Sequence, residues 1–484
     1  MITPVIMRRR RSDSATKRKQ QQQQHQTAST QRNRKTITKA LSSSAIAVLL
    51  LASVLLPIAA AETTFRNCTY NGRFNYANSL VSISDIVHLD GSVSWGVSLD
   101  SASMSIDDYV NALGVTRAPV IINIYFDIEQ INIVNNPLNC QIAAARAAGA
   151  ILMLTVEPWG GLNVVNSTAT TQLGQLCRDI NDAGMPVLVR FAHEMNGDWY
   201  PWGQRPGEYR DAFRAVASAV KAAAPNSAMV WAPNTGVGYP YAGAGKYYPT
   251  DTKSSAFSQM DTNQDGRIDE KDDPFTPYYP GDDVVDWIGV SLYSKRDNGR
   301  ADQYANILSD RSSVKKYITS PNTNFNLYQK FAEAKNKPFM IAETAAAYYP
   351  NFPKGNGEVA LKQNWWRQFW SADALNTFPL LKAAVWFELK KVADTGEVRD
   401  YCISKNRDVL NAFISDVSST DGVNFLNTQT NKLTGGNGGC ACTKPGDRNG
   451  NGKPDKNGGV ALGVGRASVM LVMCALGLTF GFGW

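Results

Sequence analysis

The sequence predicts an α/β protein of the (β/α)8 barrel type, and three observations lead there. Eight short apolar runs recur along the body of the chain, amphipathic stretches separate them, and a proline stands immediately ahead of three runs. The runs are 93–99, 120–126, 151–156, 187–192, 229–232, 287–292, 339–342 and 383–387. Near-continuous apolar runs of this length are strands buried on both faces, as in a parallel sheet covered by helices. Helical periodicity fills the intervals at 106–113, 141–148, 171–183, 209–224 and 359–370. Pro119, Pro186 and Pro338 precede the second, fourth and seventh runs, where a missing N–H is tolerated. A doubly wound open sheet, the competing arrangement, carries a Gly-rich phosphate turn after its first strand. Here that position reads Trp95-Gly96-Val97-Ser98-Leu99-Asp100. The barrel is favoured, with its chemistry at the C-terminal ends of the strands.

Composition narrows the function. The formal charge of the 484 residues is +7, yet positions 1–40 hold eleven Lys and Arg against one acid, which leaves the remainder at −3. The basicity belongs to a leader, and no block of the body supplies the basic face that nucleic acid requires. Only three histidines occur, His25, His88 and His193, too few for a multi-histidine zinc site.

Both ends read as processing signals. Residues 1–61 comprise a disordered basic leader, an apolar stretch over 45–61 and an Ala59-Ala60-Ala61 cleavage site, the pattern of a secretory signal peptide. At the other end a Gly/Asn-rich stalk over 431–457 precedes 458–484, where small residues, a spacer and sixteen mostly apolar residues form a glycosylphosphatidylinositol attachment signal. The expected location is the cell surface outside the cell, with the membrane engaged through a lipid anchor. Removal of that tail takes Cys474 and leaves six cysteines, Cys68, Cys140, Cys177, Cys402, Cys440 and Cys442. An even number in an oxidising compartment suits disulfides, and six cysteines leave the pairing open. Sequons at Asn67 and Asn166 fit the same route. The barrel is assigned to 62–430, including an insertion at 241–281.

Acids and aromatics gather where the strands end. The third run leads into Glu157-Pro158-Trp159, and the fourth continues through Arg190, His193, Glu194, Met195, Asn196, Gly197, Asp198, Trp199, Tyr200, Pro201 and Trp202. The sixth ends at Tyr293, the seventh at Glu343 and the eighth at Trp386-Phe387-Glu388. Paired carboxyls perform acid/base and nucleophilic work on glycosidic bonds, and aromatic faces stack on sugar rings.

His193-Glu194-Met195-Asn196-Gly197, followed by Trp199-Tyr200-Pro201-Trp202-Gly203, resembles glycoside hydrolase family 26, typified by β-mannanases. Tyr279-Pro280-Gly281-Asp282-Asp283 running into Val284-Val285-Asp286-Trp287-Ile288-Gly289, and Lys337-Pro338 running into Ala342-Glu343, resemble its segments at strands six and seven. The likeness covers about 90–400 and implies a retaining mechanism, with Glu194 as acid/base and Glu343 as nucleophile. It further implies that Tyr293 bonds the nucleophile and His193 orients the acid or binds sugar. Arg190 would hold a carboxylate, Trp386 would form a sugar platform, and Trp199 or Trp202 would line the leaving-group side. Many mannanases of the family carry Trp-His where this chain has Glu157-Pro158-Trp159, so Glu157 and Trp159 are substrate-binding candidates. Mannan, mixed-linkage β-glucan and β-1,3-xylan stay open as substrates.

A further motif lies in the insertion. Asp261, Asn263, Asp265, Arg267, Asp269 and Asp272 fall at positions 1, 3, 5, 7, 9 and 12 of a loop with Gly266 at position 6. That is the spacing of a calcium loop, and the expectation is a structural Ca2+, with no cofactor for the chemistry. The combined reading is a retaining endo-β-glycanase acting on polysaccharide. Its rival is a catalytically inactive carbohydrate-binding protein of the cell surface.

Overall fold

A computed structural model of the chain describes residues 62–442, apart from 72–81, 89, 102, 115–116, 132–136, 242–245, 296–305, 321–324, 353, 393–395 and 428–438. The leader, signal peptide and lipid-attachment signal lie outside the described residues. Eight parallel strands form the core: β1 Val93–Leu99, β2 Ile121–Asp127, β3 Ile151–Glu157, β4 Val187–Phe191, β5 Ser227–Trp231, β6 Trp287–Ser294, β7 Phe339–Ala346 and β8 Leu381–Glu388. They pair in chain order, and β8 returns to β1 from Ala383 opposite Ser94 to Glu388 opposite Leu99. The sheet therefore closes into a (β/α)8 barrel.

Local chemistry sets the helix bounds. Ile106–Leu113 begins at Ser105, whose hydroxyl accepts from the Asp108 amide while Asp108 reaches back to the Ser105 amide, and it ends at Gly114 with φ +88°. This reciprocal cap and a glycine stop satisfy the backbone groups that a helix leaves open. Ser167–Asp182 is capped by Asn166, Pro206–Ala223 carries proline in its first turn, and the two pack together outside β4 and β5.

Three features differ from the sequence expectation. β4 stops at Phe191 because Ala192 (φ +45°) and Glu194 (φ +56°) leave the extended region. β7 runs four residues past Ala342, and its register against β6 shifts between Ile341 and Glu343. An irregularity of this kind re-aims a side chain at a barrel rim. The segment expected as stalk contains the strand Gly439–Cys442, which pairs antiparallel with Cys68–Asn71. Disulfides Cys68–Cys442 and Cys140–Cys440 hold it there. Cys177 and Cys402 are buried free thiols, so four of the six cysteines pair. Among the described residues no helix is long and apolar enough to cross a membrane.

Candidate active site

The site is built on the ends of β4, β6 and β7. Arg190, in the last turn of β4, is fully buried; its guanidinium donates to Glu343 Oε2 at 2.6 Å and to Ser291 Oγ on β6 at 2.6 Å. The other Glu343 oxygen accepts the Tyr293 hydroxyl at 2.5 Å. Two β6 side chains two residues apart share a face of the strand, so Ser291 and Tyr293 both reach the same carboxylate neighbourhood. Burial alone would raise the Glu343 pKa, but the guanidinium and the phenol override it and hold the carboxyl well below its ordinary range.

Glu194 lies three residues beyond β4. Its amide donates to the Ala232 carbonyl at 2.9 Å, tying the strained turn to the end of β5. A non-glycine residue in the left-handed region costs about 1–2 kcal/mol, and such strain collects at functional sites. The Glu194 carboxylate accepts Trp199 Nε1 at 2.8 Å. Gly197 makes this possible, since a Cβ there would stand 2.4 Å from the Trp199 indole. Asn196 braces the turn by accepting the Asn234 amide at 2.8 Å and donating to the Asn234 carbonyl at 3.0 Å. Burial, followed by the negative charge of Glu343, raises the Glu194 pKa. The two carboxyls are thus pushed in opposite directions, Glu194 up and Glu343 down.

His193 is buried, and burial together with the Arg190 charge keeps its pKa down at about 3, so the imidazole is neutral. Its Nε2 lies 3.3 Å from the Tyr200 hydroxyl. Glu157 ends β3 beside Asp127 of β2 in register and accepts Trp159 Nε1 at 3.1 Å. Burial, then the charges of Glu343 and Asp127, push its pKa up to about 8. Trp159 and Trp199 are half-buried at the rim.

Two expected sugar contacts are elsewhere. Trp386 is wholly buried, donates from Nε1 to the Tyr401 carbonyl at 2.9 Å and stacks on Trp95 with centroids 5.9 Å apart. With Trp366 and Phe413 nearby it belongs to the layer between barrel and helices. Its neighbour Phe387 faces the cleft instead, 5.9 Å from Tyr293 and 6.5 Å from Tyr125. Trp202 is also fully buried; it donates to the His193 carbonyl at 2.7 Å and stacks under Tyr200 at 4.4 Å, supporting the turn from beneath.

The calcium expectation does not find its ligand cluster. Among the described residues no group of three or more His, Cys, Asp and Glu side chains is placed to hold a metal ion. The carboxylates are turned onto the loop's own backbone. Asp261 accepts the Asp265 and Gly266 amides, Asp265 accepts that of Arg267, Asp269 that of Lys271, and Asp272 those of Thr262, Asn263 and Asp269. Asn263 spends its side chain on Asp265.

Ser291, Tyr125, Tyr200, Tyr241 and Phe387 also border the site without having been singled out as site residues. Tyr200 sat inside the motif, and Tyr125 is the last residue but one of the second apolar run. Ser291 and Tyr241 carry no comparable signal.

Two buried carboxyls with oppositely shifted pKa values at the strand ends of a closed parallel barrel are an arrangement that can work on glycosidic bonds. Residues 154–254 match the model of Glycosyl hydrolase family 26. Endoglucanase H of Acetivibrio thermocellus is 26% identical over 263 residues, covering 51% of this chain and 22% of that protein. A beta-1,3-xylanase of a Vibrio species is 27% identical over 208 residues, covering 40% and 36%. The match therefore spans well under half the length of either relative. Among solved structures, a Cellulomonas fimi endo-beta-1,4-mannanase double mutant aligns with TM-score 0.46 and 15% identity over 75% of this chain and 78% of that one. The catalytic domain of a Bacillus sp. JAMB-750 endo-beta-1,4-mannanase gives 0.45 and 16% over 72% and 91%.

Proposed function

We propose that the chain is a retaining endo-β-glycanase, cutting β-1,4-mannan or mixed-linkage β-glucan. The bonds of Arg190 and Tyr293 to Glu343, with the Glu343 pKa depressed and that of Glu194 raised, carry this reading. Glu343, ionised, attacks the anomeric carbon as Glu194 gives its proton to the leaving oxygen, so the glycosidic bond breaks as the glycosyl-ester bond forms. Esterification removes the charge on Glu343, which lowers the Glu194 pKa and lets it take a proton from water for the second displacement. Arg190 and Tyr293 hold the nucleophile, and His193, neutral, is suited to bind a sugar hydroxyl. Glu157, largely protonated at neutral pH, can donate to a sugar hydroxyl where an ordinary carboxylate could only accept. The terminal signals support secretion and lipid anchoring at the cell surface.

The test is reducing-end release from mannan, galactomannan, mixed-linkage β-glucan, xylan and chitin, with the anomer of the first product read by NMR. One polymer cut with retention is expected. Inverted product would overturn the mechanism. Silence across the panel from folded protein would favour the inactive carbohydrate-binding barrel.

A further inference from the structure

The aromatic residues at the rim divide between the two carboxyls. Tyr125 and Tyr293 lie within the influence of Glu343, whereas the charges acting on Tyr241 are those of Glu194, then Tyr278 and Asp198. Tyr241 stands on the loop after β5 and meets the Trp199 ring edge to face, centroids 5.0 Å apart. Trp199 is the residue that bonds Glu194. The Tyr241 ring is therefore one side chain removed from the Glu194 carboxyl.

This position is held with some effort. Tyr241 has φ +60°, a conformation that a residue with a Cβ rarely adopts. Its amide donates to the Gly238 carbonyl at 2.8 Å, and its hydroxyl donates to the Thr235 carbonyl. Gln204, wholly buried, donates to the Pro240 carbonyl at 2.7 Å and to the Asn196 carbonyl at 3.2 Å, coupling the loop to the turn that carries Glu194. For all this anchoring the Tyr241 ring does not sink into the core; it stays half-buried at the rim beside the half-buried Trp199. A fixed, incompletely covered aromatic ring is a preformed stacking surface, with the ordering cost met before ligand arrives.

We propose that Tyr241 extends, beside Trp199, the surface that meets the sugar on the leaving side of the scissile bond, and that Tyr241 determines preference for polymeric over short substrates. The sugar joined to the oxygen that Glu194 protonates must lie next to Glu194, where Trp199 bonds the carboxyl and Tyr241 packs on Trp199. The inference rests on the assignment of Glu194 as the acid.

Two substrates with the same glycone separate it from other roles: the polymer, and a matching oligosaccharyl fluoride, whose leaving group has no ring to stack. Tyr241→Ala is expected to lower kcat/KM on polymer about ten- to a hundredfold while leaving the fluoride within about twofold. Tyr241→Phe, which loses only the hydroxyl, should keep most of the polymer activity. The unchanged fluoride rate also reports that the variant is folded. Equal losses on both substrates, or none on polymer, would overturn the assignment of Tyr241. A wild-type chain that hydrolyses neither would instead overturn the function on which it rests.

Discussion

Arg190→Met is the perturbation that most directly interrogates the site. It keeps an unbranched apolar stem of similar bulk but removes the guanidinium that donates to Glu343 and Ser291 at 2.6 Å each. The Arg190 side chain is 0% exposed and that of Glu343 10%, so solvent does little to screen the pair. Removing one partner of a buried ion pair costs about 3–5 kcal/mol. The same magnitude follows from titration. A nearby guanidinium lowers a carboxyl by about 1–3 pKa units, and each unit is about 1.4 kcal/mol. For a domain of this size the loss corresponds to a drop of about 5 °C in Tm.

The sign of the pH dependence discriminates further. In the wild type the Glu343 pKa is depressed. It therefore contributes stability above the ordinary carboxylate pKa, and that contribution is lost as pH falls through the folded value. In Arg190→Met burial acts unopposed by the guanidinium, so the folded pKa rises and the carboxyl is penalised as pH climbs. The Tm gap between the two proteins should be widest near neutrality and shrink towards pH 3, and the acid limb of kcat/KM should move up by about 1–3 units. Melting curves and kinetics across pH 3–8 measure both. A gap independent of pH with an unmoved acid limb would refute the claim that Arg190 maintains the charge of Glu343.

Other outcomes follow from the same geometry. Glu194→Gln should cut kcat on polysaccharide by about 10²–10⁴, with much less effect on a glycosyl fluoride that needs no proton; equal losses on both would remove Glu194 from the acid role. Trp386→Leu should lower Tm with KM unchanged, whereas Phe387→Ala should raise KM with little change in Tm, because one ring is in the core and the other in the cleft; titrating substrate against both variants decides. Replacing Cys440 and Cys442 together by Ser should cost about 2–5 kcal/mol in denaturant unfolding by freeing the terminal strand. As pH rises through about 8, Glu157 should ionise beside Asp127 and Glu343 and KM should rise. Glu157→Gln should abolish that rise, and its persistence would mean that another group is responsible.

The barrel was legible because its strands are unusually apolar and its helices carry their own punctuation. The helix at 106–113 was bounded to the residue, since Ser105, Asp108 and Gly114 mark its ends in the sequence. Glu194 and Glu343 could be placed at strand ends from pattern alone. What pattern could not decide was facing. Trp386 and Phe387 are adjacent aromatics in β8, and a shift of one residue exchanges the core and cleft faces of a strand; both are apolar enough for either side. The cysteine pairing depends on which outer helix the terminal strand reaches, a long-range matter. Cys177 and Cys402 are indistinguishable in sequence from bonded cysteines, and only their burial apart from other thiols shows that they pack as small apolar groups.

The division of labour between the carboxyls follows from how one cation is shared. Asp127, Glu157, Glu194 and Glu343 all lie at the same mouth, and Arg190 is the guanidinium that acts on the last three. It hydrogen-bonds only to Glu343 among them. Burial and Arg190 itself hold the His193 pKa down at about 3, which leaves Arg190 the larger positive influence on Glu343. A buried positive charge stabilises one ionised neighbour fully, and that neighbour's negative charge then disfavours ionisation of the rest. Glu343 takes the charge because Arg190 on β4 and the β6 hydroxyls converge on β7 at the register shift. Glu194, displaced from the strand by its left-handed turn, accepts the Trp199 indole N–H but no guanidinium bond, and burial with the Glu343 charge keeps its pKa raised.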